Sequence, residues 1–357
     1  MRKPLLFCFF LLSIQSLHAQ KRKYSNEFLN IGVGSAAFGM SGSVIANVND
    51  VTSGYWNPAG LARMETPKQV GLMHSEYFSG IAKYDYAAFA TSVQDNTAVV
   101  GVSAIRFGVD DIPDTSELID ADGNINYDRV KKFSAADYAF IFSYARKSKN
   151  ARRDFTYGAN VKILHRLVGQ YGKSYGFGFD AGVQYKTGKF VLAAMGRDIT
   201  TTFNTWSYNA DQLSTVYTQT GNDIPKNSTE TTLPRIILGA AYSTAINEQF
   251  NIMAEANLNF TTDGKRNVLL SANPISIDPT LGLTVDYKKI ISLRAGLGNI
   301  QKSTDFTGKQ FYSYQPNMGV GVKINNFSID YALTNIGNSS DALYSNVFSI
   351  RIDFSTF

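Results

Sequence analysis

The stretch NVFSIRIDFS, residues 346–355, alternates without a break. Phe348, Ile350, Ile352 and Phe354 share one parity, while Ser349, Arg351, Asp353 and Ser355 share the other. Successive side chains of a strand point to opposite faces, so the segment predicts a ribbon greasy on one side and charged on the other. Arg351 and Asp353 rule out a strand buried on both faces by apolar layers. What the greasy face meets, a soluble core or lipid, has to be decided from the rest of the chain.

The pattern recurs going back towards the N-terminus. Phe327, Ile329, Tyr331 and Leu333 oppose Ser328 and Asp330; Ile252, Ala254, Ala256, Leu258 and Phe260 oppose Asn251, Glu255, Asn257 and Asn259. Phe155, Tyr157, Ala159, Val161 and Ile163 oppose Thr156, Asn160 and Lys162, and Phe177, Phe179, Ala181, Val183 and Tyr185 oppose Asp180 and Gln184. Fourteen such segments begin near Gln69, Tyr84, Ala98, Asp137, Phe155, Phe177, Phe190, Arg235, Phe250, Leu281, Ile291, Pro316, Phe327 and Asn346. Most run for roughly eight to eleven residues, the length a tilted strand needs to cross the hydrocarbon layer.

The connections sort by length. On one side they run roughly 6, 30, 11, 37, 20, 17 and 12 residues, and on the other roughly 5, 9, 4, 5, 2 and 2. Short periplasmic turns alternating with long surface loops are the habit of outer-membrane barrels. Phe107 to Ala136 and Asp198 to Pro234 form the two largest predicted loops, and Lys288-Lys289 and Asn325-Asn326 are short enough for hairpins. A secreted sandwich alternates too, but fourteen strands of this length would make two domains, and no linker is visible. Closure also removes the sheet edges that lipid cannot satisfy. The prediction is an all-β fold: a 14-stranded antiparallel transmembrane β-barrel with both termini periplasmic. On this phase Lys162, Asp180, Glu255, Asp286, Arg294, Lys323, Asp330, Arg351 and Asp353 face the lumen. An outward Lys or Arg near midplane would cost about 2–4 kcal/mol. Gly176, Gly178, Gly182, Gly296 and Gly298 would permit a kink in the wall.

Composition agrees. The chain of 357 residues carries 24 Phe, 20 Tyr and 29 Gly. Residues 1–19 read as a signal peptide: Arg2 and Lys3, an apolar run from Leu5 to Leu12, and Ala19 before the cleavage point. Cys8 lies within that run rather than at its end, which argues against lipidation and leaves the mature chain without cysteine. Without Arg2 and Lys3 the basic residues fall from 34 to 32 against 29 acidic ones, a balance of +3 that gives no reason to expect nucleic acid. Residues 20–68 precede the first strand, and 69–357 form the barrel. Phe357 ends the chain at the opposite parity from Phe354, leaving Phe354 to face lipid.

Matches to enzyme motifs are weak. Gly172-Lys173-Ser174-Tyr175-Gly176 has the spacing of a nucleophile elbow, but no histidine follows it, and a surface loop explains it better. Leu167 stands where a phosphate loop needs its first glycine, and Gly32-Val33-Gly34 lacks the flanking βαβ unit of a dinucleotide site. Asp120, Asp122, Asn124 and Asp128 offer oxygens, but Lys131 sits where a calcium loop needs an acid. His74 and His165 are the only histidines after the signal, and His165 with Ser174 is the least implausible catalytic pair. No catalysis, cofactor or metal is expected.

The segment before the first strand is more distinctive. Asn57 followed by Pro58 predicts a capped helical start. IGVGSAAFGMSGSVIANVNDVTSGYWNPAGLARM, residues 31–64, resembles the opening of FadL-type outer-membrane proteins, specifically the PorV/PorQ branch associated with type IX secretion in Bacteroidota. The resemblance rests on Gly39, Met40 and Gly42, on Ala46 to Asp50 including Asn49, and on Tyr55 with Trp56, Asn57, Pro58, Ala59, Gly60 and Leu61. It implies a luminal plug built from these residues and an outer-membrane location in a Gram-negative bacterium. The task it implies is type IX secretion, docking with the translocon or binding exported cargo. The alternative is passive, FadL-like transport of hydrophobic small molecules, with a hydrophobic ligand or detergent in the lumen and outer-membrane lipid outside.

Overall fold

Alternation of this kind closes into a cylinder when the first and last strands meet, and they do. The computed structural model describes residues 25–94, 97–120, 122–149, 154–334 and 345–354. The predicted signal peptide and Phe357 lie outside the described residues. The strands are β1 (Lys68–Tyr77), β2 (Ala82–Val93), β3 (Ala98–Asp114), β4 (Lys131–Lys147), β5 (Asp154–Val168), β6 (Gly172–Thr187), β7 (Phe190–Arg197) and β8 (Thr202–Tyr208). They continue as β9 (Ser228–Thr232), β10 (Arg235–Ala245), β11 (Phe250–Thr261), β12 (Ser276–Tyr287), β13 (Ile291–Thr304), β14 (Gln310–Ile324), β15 (Phe327–Thr334) and β16 (Ser345–Phe354). All pairings are antiparallel between neighbours, and β1 pairs with β16 from Lys68↔Phe354 to Glu76↔Asn346.

These sixteen segments make fourteen staves. β7 pairs with one half of β6 (Ala181↔Gly196) and β8 with the other (Phe177↔Phe203), so β7 and β8 are one stave interrupted at Asp198–Thr201. β9 and β10 are likewise one stave broken at Leu233-Pro234, pairing with β8 and β7 in turn. Proline has no N–H for the ladder, which suits it to such a break. At the β7–β8 interruption Asp198 and Thr201 adopt positive φ, and the Asp198 and Ile199 amides still bond to Asp180 Oδ1 and Phe179 O. The wall is therefore interrupted at Asp198–Thr201, outside the glycines expected to permit a kink.

Outward positions are apolar, as the alternation requires: Leu72 is 49% exposed, Leu283 43% and Ile350 43%. The predicted luminal positions face inward, with Lys162, Asp180, Glu255 and Asp353 buried.

Two predicted loops are shorter than expected. β3 continues to Asp114 and β4 begins at Lys131, so the loop predicted as Phe107 to Ala136 shrinks to 115–130. The predicted loop Asp198 to Pro234 contains β8, the helix Ala210–Thr220 and β9. In β3 and β4 the wall rises past its apolar belt, where Asp110, Asp111 and Lys132 replace the greasy parity that marks a strand, and before β8 the interruption at Asp198–Thr201 resets the alternation. Gly172–Gly176, predicted as surface loop, is the first part of β6. Gly172 lies against the Tyr208 ring and Gly176 against Asn204 of β8, where a Cβ on Gly176 would overlap the amide oxygen, and their turn-like composition conceals the strand.

Candidate functional site

The chain that enters the lumen is short of regular structure because the wall satisfies its backbone instead. It forms a single turn at Glu27–Asn30, α1 (Ser35–Gly39), α2 (Ser53–Trp56) and a 3-10 turn at Pro58–Arg63. Asn57 begins the last as predicted: its side chain accepts the Ala59 amide at 3.2 Å, with Pro58 in the first position. The same side chain donates to Ile45 O (2.9 Å) and Val183 O (3.2 Å), tying the cap to the segment and to β6.

Wall side chains hold the rest. Glu255 of β11 accepts the Ala46 amide at 2.8 Å and the Asn47 amide at 2.9 Å. Gln184 of β6 donates to Ile45 O and Val48 O, and Asn160 of β5 donates to Gly54 O. Arg197 of β7 donates to Leu29 O and Tyr55 O, with its guanidinium 4.5 Å from the Tyr55 ring centre. Arg351 pairs with Asp50 at 2.7 Å. Buried backbone groups need partners, and an irregular segment finds them only where a polar wall supplies them. Two wall glycines show how closely the backbones approach. A Cβ on Gly182 would overlap Asn57 Oδ1, and one on Gly296 would overlap the Met40 carbonyl carbon. Both were expected to allow a kink; they are seats for the segment.

Among the other plug residues, Gly39 abuts Gly319 of β14, and Gly60 packs on Val48 O. Ala59 is buried and Met40 contributes to a buried cluster with Ile45 and Met195. Trp56 donates its indole N–H to Val33 O at 2.8 Å, its ring lying over Gly32 and Gly42. Asn49 lines a chamber at the end of the barrel where β1 begins and β16 finishes.

The luminal charges form local pairs rather than one cluster. Lys162 bridges Asp180 at 2.7 Å and Asp198 at 2.6 Å; Arg294 meets Asp330 at 2.7 Å; Asp353 lies between Lys323 (3.3 Å) and Arg351 (3.4 Å). Asp286 accepts from Ser292. Among the described residues no group of His, Cys, Asp and Glu is arranged to hold a metal ion. His165 bonds to the Ser174 carbonyl and stacks on Tyr175, 4.4 Å between ring centres. Neighbours in a strand point to opposite faces, so Ser174, fully buried, turns its hydroxyl away from that stack, and no dyad forms. His74 pairs with Asp85 on the exposed face.

The luminal segment leaves a cavity on each side. The near chamber, about 470 Å³ at the end where β1 begins and β16 finishes, is lined by Asp50, Arg294, Lys323 and Arg351. The far chamber, about 420 Å³, lies between Trp56, Tyr55 and Phe38 of the segment and a polar wall that includes Arg197, Arg235 and Asn257. Arg197, Arg235, Asn257, Asn259, Asp278 and Gln184 were not singled out in the sequence as site residues. All share the inward parity, which was the available signal. Two further depressions, around Ala87 and Ala254, open on the apolar outside.

Together these elements make a closed 14-stranded antiparallel β-barrel whose N-terminal segment lies within the wall. The chain is similar in structure to a Pseudomonas aeruginosa FadL homologue: TM-score 0.51, 14% identity, over 90% of this chain and 98% of that one. It is similar to the Ralstonia pickettii toluene transporter TbuX at TM-score 0.51 and 13% identity, with the same shares covered. The Pseudomonas putida toluene transporter TodX gives TM-score 0.55 and 13% identity, over 90% of this chain and 98% of the other. No family model matches the sequence, and no curated protein matches it. At these identities the likeness concerns the fold.

Proposed function

We propose that this chain is a passive outer-membrane transporter of small hydrophobic molecules in a Gram-negative bacterium, with residues 25–64 acting as a hatch and the short-turn end, where β16 finishes, periplasmic; Ser25 and Asn26 bond to Glu230 and Thr232 at the opposite, long-loop end, so the expectation that both termini are periplasmic is not kept. The observation that carries the reading is the far chamber, which opposes Trp56, Tyr55 and Phe38 to the barrel wall and is within the usual size of a small-molecule site. The hatch separates it from a charged near chamber, so a solute binds on an aromatic surface and leaves through a polar one when the segment shifts. The apolar outer belt supports a membrane setting, and the solved relatives named as toluene transporters support the choice of solute. The role is non-enzymatic.

A second reading, a barrel of type IX secretion that docks with the translocon or receives cargo, is favoured by one observation: the resemblance of residues 31–64 to the PorV/PorQ branch. The likeness to solved structures adds nothing to it. Deleting the gene separates the two. Lost uptake of monoaromatic hydrocarbons with a normal secreted proteome supports transport, whereas cargo stranded in the periplasm with normal uptake overturns it.

A further inference from the structure

We infer that the far chamber selects neutral ring compounds that carry a carbonyl oxygen over the matching hydrocarbon. The inference rests on the transport reading and names the solute class at the same cavity.

The polar wall of the chamber has donors to spare. Arg235 of β10 is half-buried, and its Nη1 donates to Asn30 Oδ1 at 2.9 Å. Its Nε and Nη2 meet no protein acceptor, and they are not among the polar atoms shielded from solvent. Asn259 Nδ2 of β11 is a second open donor. It stands diagonal to Arg235 in the β10–β11 ladder, where Ile237 opposes Asn259 and Thr261 opposes Arg235. Gln315 Nε2 of β14 is a third, since Gln315 Oε1 already accepts the Asn299 side chain at 3.1 Å. All three side chains line the chamber, opposite Trp56, Tyr55 and Phe38 of the hatch.

Charge makes the solute neutral. Arg197 is committed to Leu29 O and Tyr55 O and has Asp180 and Asp198 for neighbours. That leaves Arg235 and Asp278 as the charges facing the chamber, and no ion pair joins them. Asp278 lies on β12 directly opposite Asn259, so a carboxylate drawn to Arg235 would meet a like charge beside it, and an ammonium drawn to Asp278 would meet the guanidinium. A hydrocarbon escapes that conflict but dries the open N–H groups of a charged donor, which is costly. A carbonyl oxygen brings two lone pairs and no donor of its own, so it accepts from Arg235 while its ring lies on the aromatic surface of the hatch. A hydroxyl would add another donor to a wall that has a surplus.

The test compares acetophenone with α-methylstyrene, which differ only by oxygen for methylene at one position, and adds benzoate as the anionic probe. Each is titrated calorimetrically into the full-length barrel in nanodiscs, with empty nanodiscs subtracted. Acetophenone is expected to bind roughly tenfold tighter or more than α-methylstyrene, the factor one well-made hydrogen bond supplies, and tighter than benzoate. In Arg235→Leu the ratio falls towards one while α-methylstyrene binding persists, and Arg235→Lys, which keeps a charged donor, restores part of it. If Arg235→Leu does not fold, Asn259→Leu leaves the bond from Arg235 to Asn30 in place and is expected to lower the ratio by about threefold. Equal affinities in the unaltered protein, benzoate binding tighter than acetophenone, or a ratio undiminished in the leucine variant that folds overturn the inference and leave passive transport standing. Binding of none of the probes also overturns it, and if gene deletion leaves hydrocarbon uptake intact as well, the transport reading falls with it.

Discussion

Glu255 offers the sharpest test of whether residues 25–64 form a movable hatch. Its carboxylate is 2% exposed, pairs with no cation among the described residues, and receives the Ala46 and Asn47 amides at 2.8 and 2.9 Å. Hydrogen bonds to a charged group contribute about 1.5–3 kcal/mol each, so the gross hold is about 3–6 kcal/mol. Part of that offsets the cost of keeping the carboxylate dry while the segment is seated, a cost that disappears with the charge. The net loss on Glu255→Ala is then about 2–3 kcal/mol, because both amides reach water only when the segment leaves. At about 1.4 kcal/mol per factor of ten, the ratio of seated to displaced segment falls roughly 30- to 150-fold. Glu255→Gln keeps one acceptor and turns an NH2 towards the other amide, and should lie between. Two readouts apply: the fraction of time a single channel conducts in a planar bilayer, and thiol labelling of an Ala46→Cys reporter, buried while the segment is seated, in a Cys8-free background. If Glu255→Ala changes neither by more than about threefold while the barrel still shifts in gel mobility on boiling, the carboxylate does not hold the hatch and the argument from its two bonds is wrong.

Other perturbations test separate parts of the molecule. Gly182→Val puts a Cβ where Asn57 Oδ1 lies and should undo the cap and the bonds to Ile45 and Val183, about 1 kcal/mol for the cap and about 1 for each bond; protease nicking should then appear in residues 25–64 before the wall unfolds, and simultaneous loss of both counts against it. Lys162→Met leaves the buried Asp180 and Asp198 carboxylates without the ammonium that bridges them, a defect of up to about 3–5 kcal/mol, lessened by the nearby Arg197, that urea titration of the heat-modifiable band should reveal; an unmoved midpoint refutes the assignment. In the turn 305–309 the Thr307 hydroxyl, with the Lys309 amide, holds the Asp305 carboxyl below its ordinary range. A depressed carboxyl contributes order that is complete above its unfolded range and lost as pH falls through the lowered value, so amide exchange of Thr307 and Lys309 should quicken only in strong acid; quickening already near pH 5 contradicts the bonding.

Much of the wall was legible because lipid enforces alternation. Where the outward face must be apolar and the inward face polar, a period of two survives in the sequence, and starts such as Ala98, Phe190, Arg235, Phe250, Ile291 and Phe327 coincide with the strands. Legibility fails where that constraint ends. β3 and β4 continue above the apolar belt through Asp110, Asp114 and Lys132, and β8 follows an interruption that resets the phase, so both were hidden in predicted loops. Of the site, Asn57-Pro58 was readable because a helix cap is local chemistry. Glu255 was readable only as an inward charge: nothing in its neighbourhood says that its partners are amides more than two hundred residues earlier. Gln184, Asn160 and Asn257 gave still less, since an amide on the polar side of a strand looks the same whether it faces water or a backbone.

The same facts bear on how the segment moves. A plug held by a continuous apolar core would resist displacement, since leaving its seat would expose greasy surface to a wet lumen along its whole length. Here the apolar packing forms two clusters, one around Tyr55 and Leu61 and one around Met40 and Ile45, joined only through the partly buried Trp56 among the segment's residues. The rest of the fastening to the wall is polar: Asn160 to Gly54, Gln184 to Ile45 and Val48, Asn57 to Val183, Arg351 to Asp50. Polar bonds of this kind exchange with water at modest net cost once water can reach them. The Met40–Ile45 cluster is the part beside Glu255 and the far chamber, whereas the Tyr55–Leu61 cluster is anchored by the Pro58–Arg63 turn against β4, β5 and β6. Displacement should therefore begin at residues 40–48, swinging about the fixed Asn57–Arg63 end, and not with release of the whole segment. Labelling of a cysteine at residue 46 that precedes labelling at residue 61, two sites equally buried while the segment is seated, is the order this geometry requires, and the reverse order would place the hinge at the wrong end.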